Sequence, residues 1–174
     1  MEIQILPPQE KDMMGVQLVF YKTWLETYPN KEVGITKEDI EDRFVGRFSE
    51  EILRTRWERI QAASNRKMLL AKDGDVVAGL IVVTLYPDKN QLQSIYILSQ
   101  YQRQGVGQKL WKEAQRYINI QNPTIVEVAT YNTQAINFYL KLGFKDTGKR
   151  FTEEKFRFRS GAIMPLMELL LPTN

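Results

Sequence analysis

The sequence predicts an α/β fold of the α+β kind: one domain over residues 1–174, with helices on both faces of a mixed, mostly antiparallel sheet of about seven strands. Three observations carry that expectation. Apolar runs suited to strands alternate with runs whose apolar residues recur three and four apart, in the order β α α α β β β α β α β β. Asp73-Gly74 and Ser160-Gly161 each join two strand-like runs by turn residues, which makes the joined runs antiparallel neighbours. The run that begins at Gln91 and the run Thr124–Thr130 are joined through a helix, the connection that parallel neighbours require.

Glu2 to Leu6 sets Ile3 and Ile5 against Glu2 and Gln4, a short first strand closed by Pro7 and Pro8. A helix follows from Gln9, with Met14, Leu18, Tyr21, Leu25 and Tyr28 as one stripe and Val16, Phe20 and Trp24 as its neighbour, until Pro29 stops it. Thr36 is placed as an N-cap, with Asp39 three residues on and Ile35 positioned to staple against Ile40. That second helix carries Ile40, Phe44 and Val45. A third starts near Ser49, turns Ile52, Leu53, Trp57 and Ile60 inward, and ends in Ala63-Ser64-Asn65. Trp24, Tyr28 and Trp57 read either as core packing or as the wall of a substrate pocket.

Lys67–Lys72 and Val76–Tyr86 form the hairpin around Asp73-Gly74. After Pro87-Asp88-Lys89-Asn90, Leu92, Ile95, Tyr96, Ile97 and Leu98 make a half-buried strand. Val106, Leu110, Ala114 and Tyr117, widened by Trp111 and Ile118, then make the apolar stripe of a helix. Thr124–Thr130 is another strand. The segment TQAINFYLKLGF is a short helix with Ala135, Ile136, Tyr139 and Leu140 on one side and Gly143 at its end. Phe144–Arg159 and Ile163–Leu171 close the sheet.

Composition narrows the chemistry. With 43% hydrophobic and 26% charged residues the chain has the balance of a soluble globular protein. No run is apolar long enough to span a bilayer, and MEIQILPPQEKD lacks the basic-then-apolar order of a signal peptide, so a cytoplasmic location is the default expectation. Zero cysteines exclude disulfides, thiolate metal sites and a covalent cysteine intermediate; zero histidines remove the commonest general base and metal ligand. No metal site is expected. The formal charge of +3 is mild and interspersed, which does not support a nucleic-acid partner. Composition leaves the assembly open; a homodimer is the commonest symmetric one.

The functional signal is QRQGVG, between the strand ending near Leu98 and the helix after it. Residues without a Cβ let backbone N–H groups approach a ligand, and the first turn of a helix leaves such groups without internal partners, so an anion is favoured there. Arg103 and Lys109 add positive charge. The spacing is neither that of a Walker loop nor that of a dinucleotide fingerprint. The pattern Gln/Arg-x-x-Gly-x-Gly/Ala, here Gln102, Gly105 and Gly107, resembles the acetyl-CoA motif of the GNAT N-acetyltransferases. The later Asn132, Ala135, Tyr139, Gly143 and Phe144 resemble that family's second signature, and the order of elements fits it along nearly the whole chain.

The resemblance implies a site. Backbone around Ile97 and Leu98 would hold the pantetheine arm of acetyl-CoA. Gln102, Arg103, Gln104, Gly105, Val106, Gly107 and Gln108 would take the pyrophosphate, Asn132 with Ala135 would meet the pantetheine, and Tyr139 would be the general acid. Many family members carry a glutamate on the strand before the phosphate loop, where this chain has Gln93, Ser94 and Tyr96; Glu26 or Glu127 acting through water is a candidate base. Trp24-Leu-Glu-Thr-Tyr28 is similar to small-molecule members related to polyamine acetyltransferases, making Trp24 and Tyr28 candidate acceptor contacts. The reading is acetyl transfer to a primary amine of a small molecule by direct attack. A protein N-terminus or lysine as acceptor, and a non-catalytic acetyl-CoA-binding module, stay open beside it.

Overall fold

A computed structural model describes residues 2–173. Its elements are β1 (Gln4–Leu6), α1 (Met13–Thr27), α2 (Lys37–Phe44), α3 (Glu50–Ala62), β2 (Arg66–Asp73), β3 (Val76–Leu85), β4 (Asn90–Ile97), α4 (Val106–Ala114), β5 (Thr124–Ala129), α5 (Thr133–Lys141), β6 (Lys145–Arg157) and β7 (Ile163–Leu171). All seven strands form one sheet in the order β1-β2-β3-β4-β5-β7-β6. Every pairing is antiparallel except β4 with β5, the pair joined through α4.

Helices cover both faces, and two adjacent residues of β4 show it. Tyr96 points to α1, its ring 5.4 Å from that of Phe20, while the next residue, Ile97, points to α4 and approaches Gly107. Successive side chains of a strand leave opposite faces, so α1 and α4 lie on opposite sides of the sheet. The main core, with Leu70, Leu80, Val82, Leu92, Leu110 and Leu169, runs through the middle; a second cluster around Ile40, Phe44, Phe158 and Met164 sits under α2.

Local chemistry sets the helix starts. Thr36 Oγ1 accepts from the Asp39 N–H at 3.2 Å while the Asp39 carboxylate accepts from the Thr36 N–H at 3.0 Å, a complete capping box, and Ile35 and Ile40 are buried in one cluster. Ser49 caps α3. Just before α1, Asp12 accepts from the Gln9 N–H in the capping box of the single turn Glu10–Asp12 and forms a 2.7 Å ion pair with Lys72 of β2, both side chains buried.

Several expected inward residues face solvent. Met14 and Leu18 of α1 are exposed, and the buried face is Met13, Val16, Gln17, Val19 and Thr23. Two polar residues on that face broke the apolar periodicity, and Thr23 is satisfied locally by donating to the Val19 carbonyl at 2.6 Å. Val45 lies past the end of α2, Ile52 is on the outer side of α3, Tyr117 follows the end of α4, and Leu140 is on the outer side of α5; all four are exposed. Among the described residues no helix is long and apolar enough to cross a membrane.

Candidate active site

The loop between β4 and α4 is built on two left-handed residues, Arg103 (φ 59°) and Gly105 (φ 77°), the second of which is the N-cap of α4. A Cβ on Gly105 would meet nothing closer than Gln108 Oε1 at 3.9 Å, so its backbone angle, not crowding, calls for glycine. Gly107 is the reverse case. A Cβ there would stand 3.1 Å from the Phe138 ring and 3.2 Å from Ile97 Cδ1, so its absence lets α4 sit against both β4 and α5. The result is a helix N-terminus whose first-turn N–H groups, those of Val106, Gly107 and Gln108, have no intrahelical acceptors.

Side chains in the loop divide into two groups. Gln102 Nε2 donates to the Ile97 carbonyl at 2.9 Å and its Oε1 accepts from Gln134 at 2.8 Å, tying β4 to α5; Gln104 donates to the Gln100 carbonyl at 2.7 Å. Val106 is buried in the main core. Val106 is left with only main-chain groups to offer a ligand, whereas Arg103, Gln104 and Gln108 are exposed. The Leu98 N–H donates to the Ala78 carbonyl of β3 at 2.9 Å, and that side chain is buried.

Beside this loop the sheet opens. β4 and β5 are in register only at Asn90–Thr124, Gln91–Ile125 and Leu92–Val126. The next residue, Gln93, is an insertion in the β3–β4 ladder, where Val83 faces Leu92 and Val82 faces Ser94. Such a bulge bends its strand. From Gln93 to Ile97 β4 leaves β5, and β5 keeps its other partner, β7, to Ala129. A wedge therefore opens between the carboxyl ends of two neighbouring strands, with the start of α4 on one flank and the start of α5 on the other.

On the α5 flank, Asn132 Oδ1 accepts from the Ala135 N–H at 3.1 Å as the N-cap, and Gly143 ends the helix at φ 96°. Between them Tyr139 is 5% exposed, packed by the rings of Phe138 and Phe144. Burial, and after it the neighbouring Tyr96 hydroxyl, pushes the Tyr139 phenol well above its ordinary value. It keeps its proton throughout the neutral range.

On the α1 face the wedge continues into a cavity of about 210 Å³. Trp24 and Tyr28 both line it and both bind one atom of β4: Trp24 Nε1 donates to Tyr96 Oη at 3.1 Å, and the Tyr28 and Tyr96 hydroxyls are 2.8 Å apart. Trp57 lines no part of it and packs on the main core. Glu127 of β5 lines the cavity, and burial, then the nearby Glu153, raises its carboxyl above the ordinary 4.5. Glu26 is exposed and outside it.

The cavity also has a wall that alternation along β6 gave no sign of. Thr152 pairs with Pro165 and Arg157 with Ile163, so residues 153–156 stand opposite Met164 alone and arch away from the sheet. Phe156, on that arch, lines the cavity, and Arg43 of α2 holds the arch by donating to the Lys155 and Arg157 carbonyls while its guanidinium lies over the rings of Trp24, Phe156 and Phe158.

The same architecture occurs in solved structures. The PaiA N-acetyltransferase of Thermoplasma acidophilum, solved in complex with coenzyme A, is 22% identical over 97% of this chain and 98% of its own, with a TM-score of 0.72. The ribosomal-protein-S18-alanine N-acetyltransferase of Escherichia coli is 16% identical over 99% and 95%, TM-score 0.66. A GNAT-family acetyltransferase of Streptococcus pneumoniae is 19% identical over 98% and 99%, TM-score 0.69. At these identities the likeness is one of fold; the sequence itself is matched over residues 26–160 by the family model described as "Acetyltransferase (GNAT) domain". The chain thus belongs to the GNAT acetyltransferases, and acetyl-CoA is its acyl donor.

Proposed function

We propose that this acetyltransferase acetylates the primary amine of a small molecule by direct attack. One observation supports this most: the wedge between β4 and β5 joins the α4 loop on one face of the sheet to a capped, aromatic-walled cavity on the other. Donor and acceptor can thus enter from opposite faces and meet between the strands. The arch of β6 and the indole of Trp24 close the acceptor side to a size that suits a small amine.

The residues fit the donor. Main-chain N–H groups from Arg103 through Gln108, with the Arg103 side chain, hold the pyrophosphate at the start of α4, on a loop that Gln102 ties to β4 and α5. Asn132 and Ala135 lie where the pantetheine runs, with the backbone of Ile97 and Leu98 opposite. Bound there, acetyl-CoA supplies an activated thioester. Glu127 takes a proton from the incoming ammonium, directly or through water, and its raised pKa brings it nearer to the working range of a general base. Tyr139, too weak an acid to lose its proton at neutral pH, holds that proton for the departing thiolate. With no cysteine in the chain, transfer proceeds without an acetyl-enzyme.

Tyr139→Phe is the test, because it removes one hydroxyl and keeps the ring between Phe138 and Phe144. Folding and acetyl-CoA affinity should change little, while kcat, followed as CoA release with a panel of small amines, should fall about a hundredfold to ten-thousandfold. Wild-type turnover in the variant assigns the phenol to packing. Absence of CoA release with every amine, alongside acetylation of peptide N-termini, would move the acceptor to the protein class.

A further inference from the structure

The acceptor cavity is aromatic, but charge at its mouth is what distinguishes one amine from another. Two cationic residues, Arg66 and Lys155, and one acid, Glu127, line it. Lys155 is already paired with Glu153. Arg66 enters no ion pair among the described residues. It opens β2 in register with Thr84 of β3, and Thr84 is in register with Gln91 of β4, another lining residue. Three strands in register therefore fix where the main chain of this exposed arginine stands.

A second arginine supports it. Arg56 of α3 is half-buried with its guanidinium carbon 5.2 Å above the ring of Phe20, itself a wall of the cavity, and it too has no acidic partner among the described residues. Burial, followed by the guanidinium groups of Arg47, Arg66 and Arg59, lowers its pKa. Arg66, which lines the cavity, and Arg56, over its Phe20 wall, are thus two cations at one side of the site, and neither takes part in an ion pair among the described residues. Like charges so arranged repel one another, and a bound anion relieves them through charge-assisted, bidentate hydrogen bonds.

We infer that the acceptor is a small amine that also carries an anionic group, a carboxylate or a phosphate, held by Arg66 and Arg56 at the cavity mouth while its apolar part lies between the aromatic walls. The inference rests on the proposed acceptor role of that cavity. It sets aside a linear polyamine, whose far ammonium would meet arginines and a single carboxylate.

Matched acceptors test it: γ-aminobutyrate against butylamine and putrescine, phenylalanine against phenethylamine, and phosphoethanolamine against ethanolamine. Binding is read as the melting shift in the presence of CoA, and turnover as CoA release from acetyl-CoA. In at least one set the member with the anionic group should exceed its partner without one by about tenfold or more, the size expected of a hydrogen bond between charged groups. The set that shows the preference tells carboxylate from phosphate. Arg66→Gln and, separately, Arg56→Gln should bring the ratio toward one. An amine without an anionic group, or a diamine, that equals or exceeds the anionic member in every set overturns the inference, as does a preference that survives in the folded double variant, or no binding by any anionic amine. Turnover without an anionic preference sinks this inference and leaves acetyl transfer standing; ranked binding without CoA release does the opposite.

Discussion

Three hydroxyls and a carboxylate decide how the wedge behaves toward protons. Tyr28, Tyr96 and Tyr139 are all pushed up, by burial first in each case, so the wedge holds phenols and no phenolate at neutral pH. Glu127 differs because its shift moves it toward, not away from, physiological pH. The sign of the stability effect follows from that direction. A folded pKa above the unfolded one means that the native state favours the protonated acid, so the group's contribution is fully present below about pH 4 and is lost as pH rises through the folded value. Glu127→Gln mimics the protonated form. It should melt higher than wild type at pH 7 to 8 and the same as wild type near pH 3.5, while losing activity at every pH if Glu127 is the base. A variant that melts lower at pH 8 would show that the carboxylate is stabilised in place. At the residue scale the sequence located positions without separating their roles: Gly105 and Gly107 were picked out together as small residues, and only the packing shows that one is needed for its φ and the other for the approach of Phe138 and Ile97.

Elements are held in place by a few contacts between distant parts of the chain, of which the Asp12–Lys72 pair is the most buried ion pair. It anchors the start of α1 to β2 beside the irregularity between Ala71 and Lys72. Removing one partner strands a buried charge, so Lys72→Met should cost about 3 to 5 kcal/mol of unfolding free energy. Adding Asp12→Asn should recover much of that loss, since a neutral amide still accepts from the Gln9 N–H. Urea unfolding of the two variants checks this, and a double variant no more stable than the single one would show that the pair acts through something other than charge. Pairings of this kind were not legible beforehand, because nothing in the local sequence links residues sixty apart. Capping was legible, since Thr36 and Asp39 carry their partner within three residues. The arch of β6 was not: its residues continue a polar, β-compatible run, and the break from β7 is fixed by Arg43 on a helix far back in the chain.

At the scale of the molecule, the hairpin partners and the one parallel pairing could be read because they follow from the connections, whereas the seating of β7 between β5 and β6 could not, and the loop and α5 motifs could be read because each is contiguous. The cavity on the α1 face could be read only in part, through Trp24 and Tyr28, since its other walls include residues of β2, β4, β5, β6 and β7 that converge only on folding. The donor side is open to a whole-molecule test, because a ligand bound by the folded state alone raises stability by mass action. At a hundred times its dissociation constant acetyl-CoA should add about 2.7 kcal/mol, a rise in melting temperature of roughly 5 to 10 °C for a chain of this size. Gly105→Glu should abolish the rise by placing bulk and negative charge at the start of α4. Both Gly105→Glu and Gly105→Ala force a side chain into the left-handed region, at about 1 to 3 kcal/mol each, so both should melt below wild type without ligand. The alanine variant, with open space around its methyl, should keep part of the acetyl-CoA shift, which separates backbone strain from loss of the anion site. A folded Gly105→Glu protein that rises as far as wild type would place the pyrophosphate elsewhere than at the start of α4.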